Sequence, residues 1–144
     1  MKQEELTTVT TNRKQTDYVT TYGRRKEATA RVRLYKGRGE TLVNELPIEK
    51  YFPLSSQMAE FKKPFQLTKS EGAYYATIRV KGSGKSSQLG SVIHGVSKAL
   101  TLINSEFRPI LKKAGLLTRD PRVKERRKHG LAQKARKGKQ SPKR

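Results

Sequence analysis

The chain has 144 residues, enough for one small domain with appendages, and 33 Lys and Arg against 12 Asp and Glu give it a formal net charge of +21. Hydrophobic residues make up 33% of the chain and charged residues 31%, so the core must be thin. Cysteine is absent, which excludes disulfides and thiolate metal sites and is typical of a reducing compartment.

The first 16 residues are polar, and we interpret them as an N-terminal extension. They include Glu4 and Glu5 and contain no apolar run of the signal-peptide kind. No apolar run in the sequence approaches the roughly 18 residues of a membrane span. We therefore expect a cytoplasmic protein.

Three segments predict strands. Residues from Ala28 to Tyr35 alternate between apolar and polar side chains, and this period of two is typical of a half-buried strand. A turn at Gly37-Arg38-Gly39 leads to a second predicted strand, Glu40 to Asn44. The third, from about Ala73 to Lys81, alternates in the same way, with the polar side chains of Thr77 and Arg79 on one face.

Four segments predict helices, which gives an α+β fold. Pro47 suits the first turn of a short helix that runs through Phe52. Ser55 or Ser56 is a candidate cap for a second helix, ending near Pro64. Helical spacing of apolar residues from Ser87 to about Ser105 predicts the longest helix. Phe107 to Ala114 predicts a last helix that Gly115 ends.

The last part of the chain is strongly cationic. From Lys112 to Arg144 there are fourteen Lys or Arg against two acids, Asp120 and Glu125. Beyond Thr118 the sizeable aliphatic residues are too few to offset the ordering entropy of roughly 1 to 2 kcal/mol per residue. We call residues 112–144 the basic arm, and we expect it to become ordered on a polyanion. A basic run of this length indicates nucleic acid.

A second cationic cluster precedes and enters the first predicted strand. Its members are expected to place positive charge on one strand face, and they are Arg24, Arg25, Lys26, Arg31 and Arg33. Tyr22 and Tyr35 are available there to stack on bases. Binding to an anionic membrane instead requires a basic helix with an apolar opposite face, and the basic arm has no such face.

The segment Gly82-Ser83-Gly84-Lys85-Ser86 resembles a phosphate-binding loop because it lies between a predicted strand and a predicted helix. The nucleotide-binding pattern needs a glycine at position 79, where this chain has Arg79. We interpret the segment as a glycine-rich turn that begins a helix. Free N–H groups beside Lys85 at that helix start remain able to bind an RNA phosphate.

No catalytic, cofactor or metal site is predicted. The two histidines, His94 and His129, are far apart in sequence, and no pair of acids stands in a context that would tune one as acid and the other as base. The ligands of a metal site are lacking.

Several blocks resemble the bacterial-type family of the ninth protein of the small ribosomal subunit. They are Gly23 to Val32 (GRRKEATARV), Val43-Asn44 with Tyr51-Phe52, the glycine-rich turn with Gln88, and Leu111 to Arg126 (LKKAGLLTRDPRVKER). The likeness covers roughly Thr21 to Arg144. The LLTRDPR block followed by the KERRKHG run is its most specific part.

The resemblance implies a small sheet with helices and a left-handed βαβ crossover, packed on 16S rRNA in the head of the small subunit beside other head proteins. It also implies that the basic arm threads through rRNA and that Lys143 and Arg144 contact peptidyl-site tRNA. The predicted domains are the extension at 1–16, an rRNA-binding core at 17–105, and a helix with the basic arm at 106–144. The chain ends in Gln140-Ser141-Pro142-Lys143-Arg144, without the aromatic residue usual in the family.

We therefore predict a structural rRNA-binding protein without cofactor or small-molecule substrate. The residues predicted to bind rRNA are the cations of the strand, the loop and the basic arm: Arg24, Arg25, Lys26, Arg31, Arg33, Lys85, Lys112, Lys113, Arg119, Arg122, Lys124, Arg126, Arg127, Lys128, Lys134, Arg136 and Lys137. Two alternatives stay open at this point. One is a free-standing regulatory RNA-binding protein, and the other is an enzyme that uses the loop as a nucleotide site.

Overall fold

One five-stranded sheet with helices packed on it organises the computed structural model, which describes residues 18–138. The strands are β1 (Tyr18–Arg25), β2 (Ala28–Lys36), β3 (Leu42–Val43), β4 (Leu46–Pro47) and β5 (Tyr74–Lys81). The helices are α1 (Ile48–Tyr51), α2 (Ser55–Leu67), α3 (Lys85–Ile103) and α4 (Phe107–Lys113). The predicted α+β class is confirmed.

The strands lie in the order β1-β2-β5-β3-β4, so neighbours in the sheet are not always neighbours in sequence. β2 pairs antiparallel with β1 on one side and with β5 on the other. β3 pairs parallel with β5, and the chain between these two strands passes through β4, α1 and α2. A parallel pair requires such a crossover, which here carries two helices.

The core lies between the sheet and α3. Alternate residues of β2 and β5 point inward and are buried, among them Val32, Leu34 and Ile78. From the helix, Val92 and Val96 are fully buried against them. Apolar residues recur at every second position on the strands and at every third or fourth position on the helix. These two sets of side chains face each other and form one core layer.

Close backbone approach brings α3 against β1. A Cβ atom on Gly23 would meet the carbonyl oxygen of Ser91 and lie 2.5 Å from the amide nitrogen of Gly95. The hydroxyl of Thr21 donates to the carbonyl oxygen of Gly95 at 2.8 Å. The contact requires glycine at position 23, because backbone atoms on both sides leave no room for a side chain.

The predicted strands at 28–35 and 73–81 and the predicted helices at 87–105 and 107–114 are confirmed, within two residues at each end. Gly115, with φ of +74°, ends α4 as expected. Its amide bonds the carbonyl of Lys112, and the amide of Leu116 bonds the carbonyl of Leu111. This pair of bonds is the Schellman arrangement that glycine favours after a helix.

Other elements differ from the prediction. Strand β1 was not predicted, because its inward positions include Thr21 and Gly23 rather than large apolar residues. The strand expected at 40–44 is only Leu42–Val43, and β4 follows it after a turn in which Asn44 and Glu45 both have positive φ.

Helix α2 differs at both ends. It begins at Ser55, and Leu54 precedes it without a side-chain cap, so neither predicted serine cap is present. It also continues past Pro64 to Leu67. Pro64 is buried on the side of α2 that faces the core. Its carbonyl accepts hydrogen bonds from the amide and the hydroxyl of Thr68, and these bonds stabilise the last turn of the helix. The expected end at Pro64 is therefore wrong.

The apolar core continues through α4. Leu111 is fully buried, and Phe107, Leu116 and Leu117 pack against the core. The predicted domain boundaries stay a prediction. The apolar contacts between α4 and the core extend across the predicted boundary at residue 105. Within residues 18–138 none of the helices has the length and apolarity to cross a bilayer.

Candidate nucleic-acid interface

The outward face of the sheet is cationic. In register, Tyr22 pairs with Arg31 and Arg31 with Arg79, so side chains from three adjacent strands point to the same side. We call this surface the basic sheet face, and its cations are Arg24, Arg31, Arg33, Arg79 and Lys81. Between β2, β5 and the turn at Asn44 the face is indented by an open groove of about 550 Å³.

Little negative charge opposes these cations. Glu45 lines the groove, and its carboxylate lies 4.0 Å from the guanidinium of Arg79. The two side chains are 90% and 80% exposed, so water screens the pair and it contributes little. The basic sheet face therefore keeps its positive potential, which attracts polyanions.

Two of the five cations predicted for this face lie elsewhere. The inward pleat of β1 turns Arg25 to the helix side, where its side chain lies against Gly90 and its guanidinium is 3.4 Å from the carboxylate of Asp120. Lys26 lies in the β1–β2 turn with φ of +51°. The expectation that all five share one strand face is therefore wrong for these two, while their contact with rRNA stays a prediction.

The tyrosines of the sheet divide into two roles. Tyr35 stands between Tyr18 and Tyr75, with ring centroids 5.3 and 5.0 Å away. The backbone of Gly39 covers Tyr75, since a Cβ there would lie 2.7 Å from the ring. Tyr75 is stacked on one face of Tyr35 and the Tyr18 ring is tilted against it, so this row stabilises the sheet. The prediction that Tyr35 stacks on bases stays a prediction.

Tyr22 is exposed, and the prediction that it stacks on bases stays a prediction. Its side chain is 58% exposed at the outer end of β1. The guanidinium carbon of Arg24 lies 5.5 Å from the ring centroid, and the Nζ atom of Lys98 lies 3.9 Å from it. The two cations place positive charge beside an exposed aromatic ring, a combination that suits nucleic-acid binding.

The glycine-rich turn packs against the turn between β1 and β2, and Lys85 beside it packs against Tyr51. Gly82 and Ser83 have positive φ, and Gly82 packs against the carbonyl of Glu27, where a Cβ would lie at 2.5 Å. The Nζ atom of Lys85 lies 3.2 Å from the centroid of the Tyr51 ring and 3.4 Å from the Tyr51 carbonyl oxygen. The lysine is thus folded onto Tyr51, although it remains exposed, and its predicted phosphate contact stays a prediction.

A side-chain network explains three of the residues that carried the family resemblance. Asn44 donates from Nδ2 to the carbonyl of Val80 at 2.9 Å, and its Oδ1 accepts the Val80 amide at 2.8 Å. The hydroxyl of Tyr51 donates to Gln88 at 2.8 Å, and Gln88 donates to the Gly82 carbonyl at 3.2 Å. These bonds fasten the end of β5 to the start of α3 and keep the groove rigid.

The basic arm begins at the end of α4, where Lys112 and Lys113 are exposed. Residues 118–138 form no helix or strand. The remaining predicted cations of this described part are all exposed: Arg119, Arg122, Lys124, Arg126, Arg127, Lys128, Lys134, Arg136 and Lys137. Lys143, Arg144 and the extension at 1–16 lie outside the described residues.

Two acids organise the described part of the arm. Asp120 accepts bonds from the side chain and the amide of Arg122, and these bonds are the main reason why the pKa of its carboxyl is well below the usual value. Glu125 accepts a bond from Arg136 at 2.8 Å and lies 3.6 Å from the Nζ atom of Lys128. The other cations of the arm outnumber these partners.

The histidines and acids of residues 18–138 form no metal-binding group of three or more. His94 lies on α3, and its Nδ1 atom accepts the backbone N–H of Arg24 at 3.4 Å. Burial lowers the pKa of His94, and the charges of Lys98 and Arg119 lower it further, against a raising effect from the Leu117 carbonyl. The half-buried imidazole of His94 therefore accepts a backbone bond from β1.

Sequence reasoning missed two cations of the basic sheet face, Arg79 and Lys81. The alternation of β5 had placed Arg79 on the polar face of that strand. The pairing of β5 with β2, which brings Arg79 opposite Arg31, is a contact between residues 48 positions apart in sequence and has no local signal.

Two comparisons with known proteins found similar sequences. A family model described as ribosomal protein S9/S16 matches residues 23–144. The chain is 51% identical over 108 residues to the small ribosomal subunit protein uS9 of Solidesulfovibrio magneticus, an alignment that covers 75% of this chain and 83% of the relative.

Proposed function

The chain belongs to the ribosomal protein S9 family, and we propose that it binds 16S rRNA through the basic sheet face and the basic arm. It is a structural protein of the small ribosomal subunit, not an enzyme, and it acts in translation on the ribosome in the cytoplasm. Its proposed place is the head of the subunit, beside other head proteins.

The single observation that carries the rRNA interface is the convergence of five cations on three adjacent strands, opposed by one weakly paired acid. Phosphate contacts supply most of the affinity in such interfaces, and arginine forks grip phosphate oxygens in pairs. Tyr22 adds a platform for an unpaired base. Lys85 and the arm cations from Lys112 to Lys137 extend the same phosphate contacts beyond the sheet.

The proposal includes two finer features of the family. We expect a left-handed connection between β3 and β5, and a basic arm that extends through rRNA. The arm carries fourteen cations over 33 residues, so order in its distal part depends on the phosphates that surround it.

Lys143 and Arg144 are proposed to contact peptidyl-site tRNA. Pro142 precedes them and disfavours a helix that runs through Ser141 into the last residues. Deletion of both residues should leave subunit assembly nearly normal and weaken retention of peptidyl-site tRNA. Purified subunits with and without the two residues are compared across a salt series. Equal retention refutes the tRNA contact, and failed assembly shows that the tip is structural.

Binding to 16S rRNA as a function of salt tests the sheet interface. The double variant Arg31→Gln with Arg79→Gln should lower the slope of log affinity against log salt by about two, since each lost phosphate contact removes about one unit. The matched control is Lys62→Gln with Lys63→Gln, two exposed cations of α2. An equal loss in both variants would mean that net charge, rather than this face, determines binding.

Sedimentation separates the proposal from a free-standing RNA-binding protein. The full chain should cosediment with the small subunit in a sucrose gradient at moderate salt. A chain that stays at the top of the gradient would favour the regulatory alternative.

A further inference from the structure

A second cationic groove lies on the helix side of the molecule, next to the exposed edge of β1. The groove is open to solvent and has a volume of about 410 Å³. It is lined by residues of α3, of the start of α4 and of the chain after α4. The side chains that matter are His94, Lys98, Leu102, Arg108, Leu117 and Arg119. Three of these are cations, and no acid lines the groove.

Two guanidinium groups are available to a ligand there. Arg108 and Arg119 are exposed, and neither side chain makes an ion pair or a hydrogen bond with the residues at 18–138. Lys98 is already engaged, since its Nζ atom donates to the Tyr22 carbonyl at 3.0 Å. The free charge-assisted donors of the groove therefore come from the two arginines.

The groove also has an apolar wall. Leu102 is 67% exposed on α3, and Leu117, which also lines the groove, is half-buried. His94, which also lines the groove, accepts the Arg24 N–H through Nδ1. An apolar wall beside two free guanidinium groups suits a ligand that has an anionic part and a flat or apolar part.

The groove is continuous with the basic sheet face. Lys98 and Arg24 flank the same ring, that of Tyr22, from the helix side and the sheet side of β1. A polyanion that lies across the sheet face can therefore pass over the β1 edge into the groove without leaving positive potential. This continuity favours a nucleic-acid strand over an acidic protein.

We propose that this groove binds one nucleotide of RNA, with the phosphodiester between Arg108 and Arg119 and the ribose or base against Leu102. The inference rests on the proposed function, because the RNA in question is the ribosomal RNA that the sheet face binds. It adds a second contact surface on the opposite side of β1 and assigns a ligand role to Arg108, which lies outside the basic arm.

The substitution Arg108→Gln tests the proposal in the full chain. The affinity for 16S rRNA should fall about 3- to 10-fold near 0.1 M salt, and the salt slope should fall by about one. Arg38→Gln, an exposed arginine in the turn after β2, is the matched control and should change the slope less. Thermal unfolding checks that both variants are folded.

A photoreactive benzoylphenylalanine in place of Leu102 gives a second readout on assembled subunits. We expect a cross-link to rRNA from position 102. A cross-link to a protein instead would mean that the groove is a protein interface, and an Arg108→Gln protein with wild-type affinity and slope would also overturn the proposal.

The wild type and the sheet variant distinguish the two levels of failure. If the wild type does not bind 16S rRNA, the proposed function fails. If the wild type binds, and the Arg31→Gln and Arg79→Gln double variant is weakened while Arg108→Gln is not, only the groove proposal fails.

Discussion

The guanidinium of Arg25 lies 3.4 Å from the carboxylate of Asp120, and so joins the edge strand β1 to the start of the region beyond α4. The side chain of Arg25 passes over Gly90, where a Cβ would lie 2.5 Å from its Cδ atom. Asp120 in turn holds Arg122 through both side chain and backbone. We infer that this one carboxylate sets the direction in which the basic arm leaves the core.

Substitution Asp120→Asn should loosen this start of the arm. We expect faster amide exchange at residues 116–122, most of all at the Arg122 amide, with little change in the thermal unfolding of the core. Because the pKa of Asp120 is lowered, the stability that its bonds contribute is fully present above the unfolded value of about 3.9 and is lost as pH falls from there through the folded value.

Glu125→Gln is the control for this prediction. It removes the partner of Lys128 and Arg136 and should affect exchange only farther along the arm. If Asp120→Asn left the Arg122 amide as protected as in the wild type, the carboxylate would not set the path of the arm.

The substitution Gly23→Ala should destabilise the core. The added Cβ would meet backbone atoms of Ser91 and Gly95, which cannot move without separating α3 from β1. We expect the free energy of unfolding to fall by about 1 to 3 kcal/mol or more, as in other overpacked cores. Gly138→Ala, where nothing lies within 4 Å of the new Cβ, should change it by less than about 0.5 kcal/mol. Urea unfolding measures both, and similar values would contradict the close approach.

Much of the fold could be predicted from the sequence because its main elements carry their own apolar pattern. β2 and β5 each place at least three buried side chains on one face, and α3 does so at helical spacing. β1 shows the same alternation of buried and exposed positions, but its buried positions are Thr21 and Gly23. These residues are small enough to let α3 approach closely, and they are not strongly apolar. A pattern of hydrophobicity cannot reveal a strand whose requirement is small size.

The candidate site was predictable to the extent that charge is local. The arm is a run of cations that any reading of composition finds. The basic sheet face depends on the pairing of β2 with β5, which brings Arg79 opposite Arg31. The tyrosine row of that sheet depends on the contacts of Tyr35 with Tyr18 and Tyr75. Those contacts join segments that are distant in sequence. The residue types can be read locally, but which residues pair across the strands cannot.

The substitution Asn44→Ala should separate the end of β5 from the turn that follows β3. It removes the partners of both the amide and the carbonyl of Val80, and alanine tolerates the φ of +49° less well than asparagine does. Each unsatisfied backbone group costs roughly 1 to 3 kcal/mol when water cannot replace the bond. Because the site is part-buried, we expect a loss of about 2 kcal/mol in urea unfolding.

Asn104→Ala is the matched control for Asn44. The side chain of Asn104 bonds Glu106 in an exposed turn, where water can take its place. The expected loss is therefore smaller, about 0.5 to 1 kcal/mol. An equal loss at the two positions would mean that Asn44 does not fasten the strand.

Replacement of His94 should change how stability depends on pH. Burial is the main reason that its pKa is lowered in the folded chain, so the unfolded chain binds more protons as pH falls. The contribution of His94 to stability is then fully present above the unfolded pKa of about 6.5 and is lost as pH falls toward the folded value.

His94→Asn keeps an acceptor near the position of Nδ1 for the Arg24 amide but does not titrate there. The free energy of unfolding of the wild type should therefore fall more steeply than that of His94→Asn between about pH 7 and 5. His129→Asn, the same substitution at an exposed position of the arm, is the matched control. Urea unfolding at a series of pH values measures all three, and parallel profiles for the wild type and His94→Asn would show that the buried imidazole is not kept neutral by the fold.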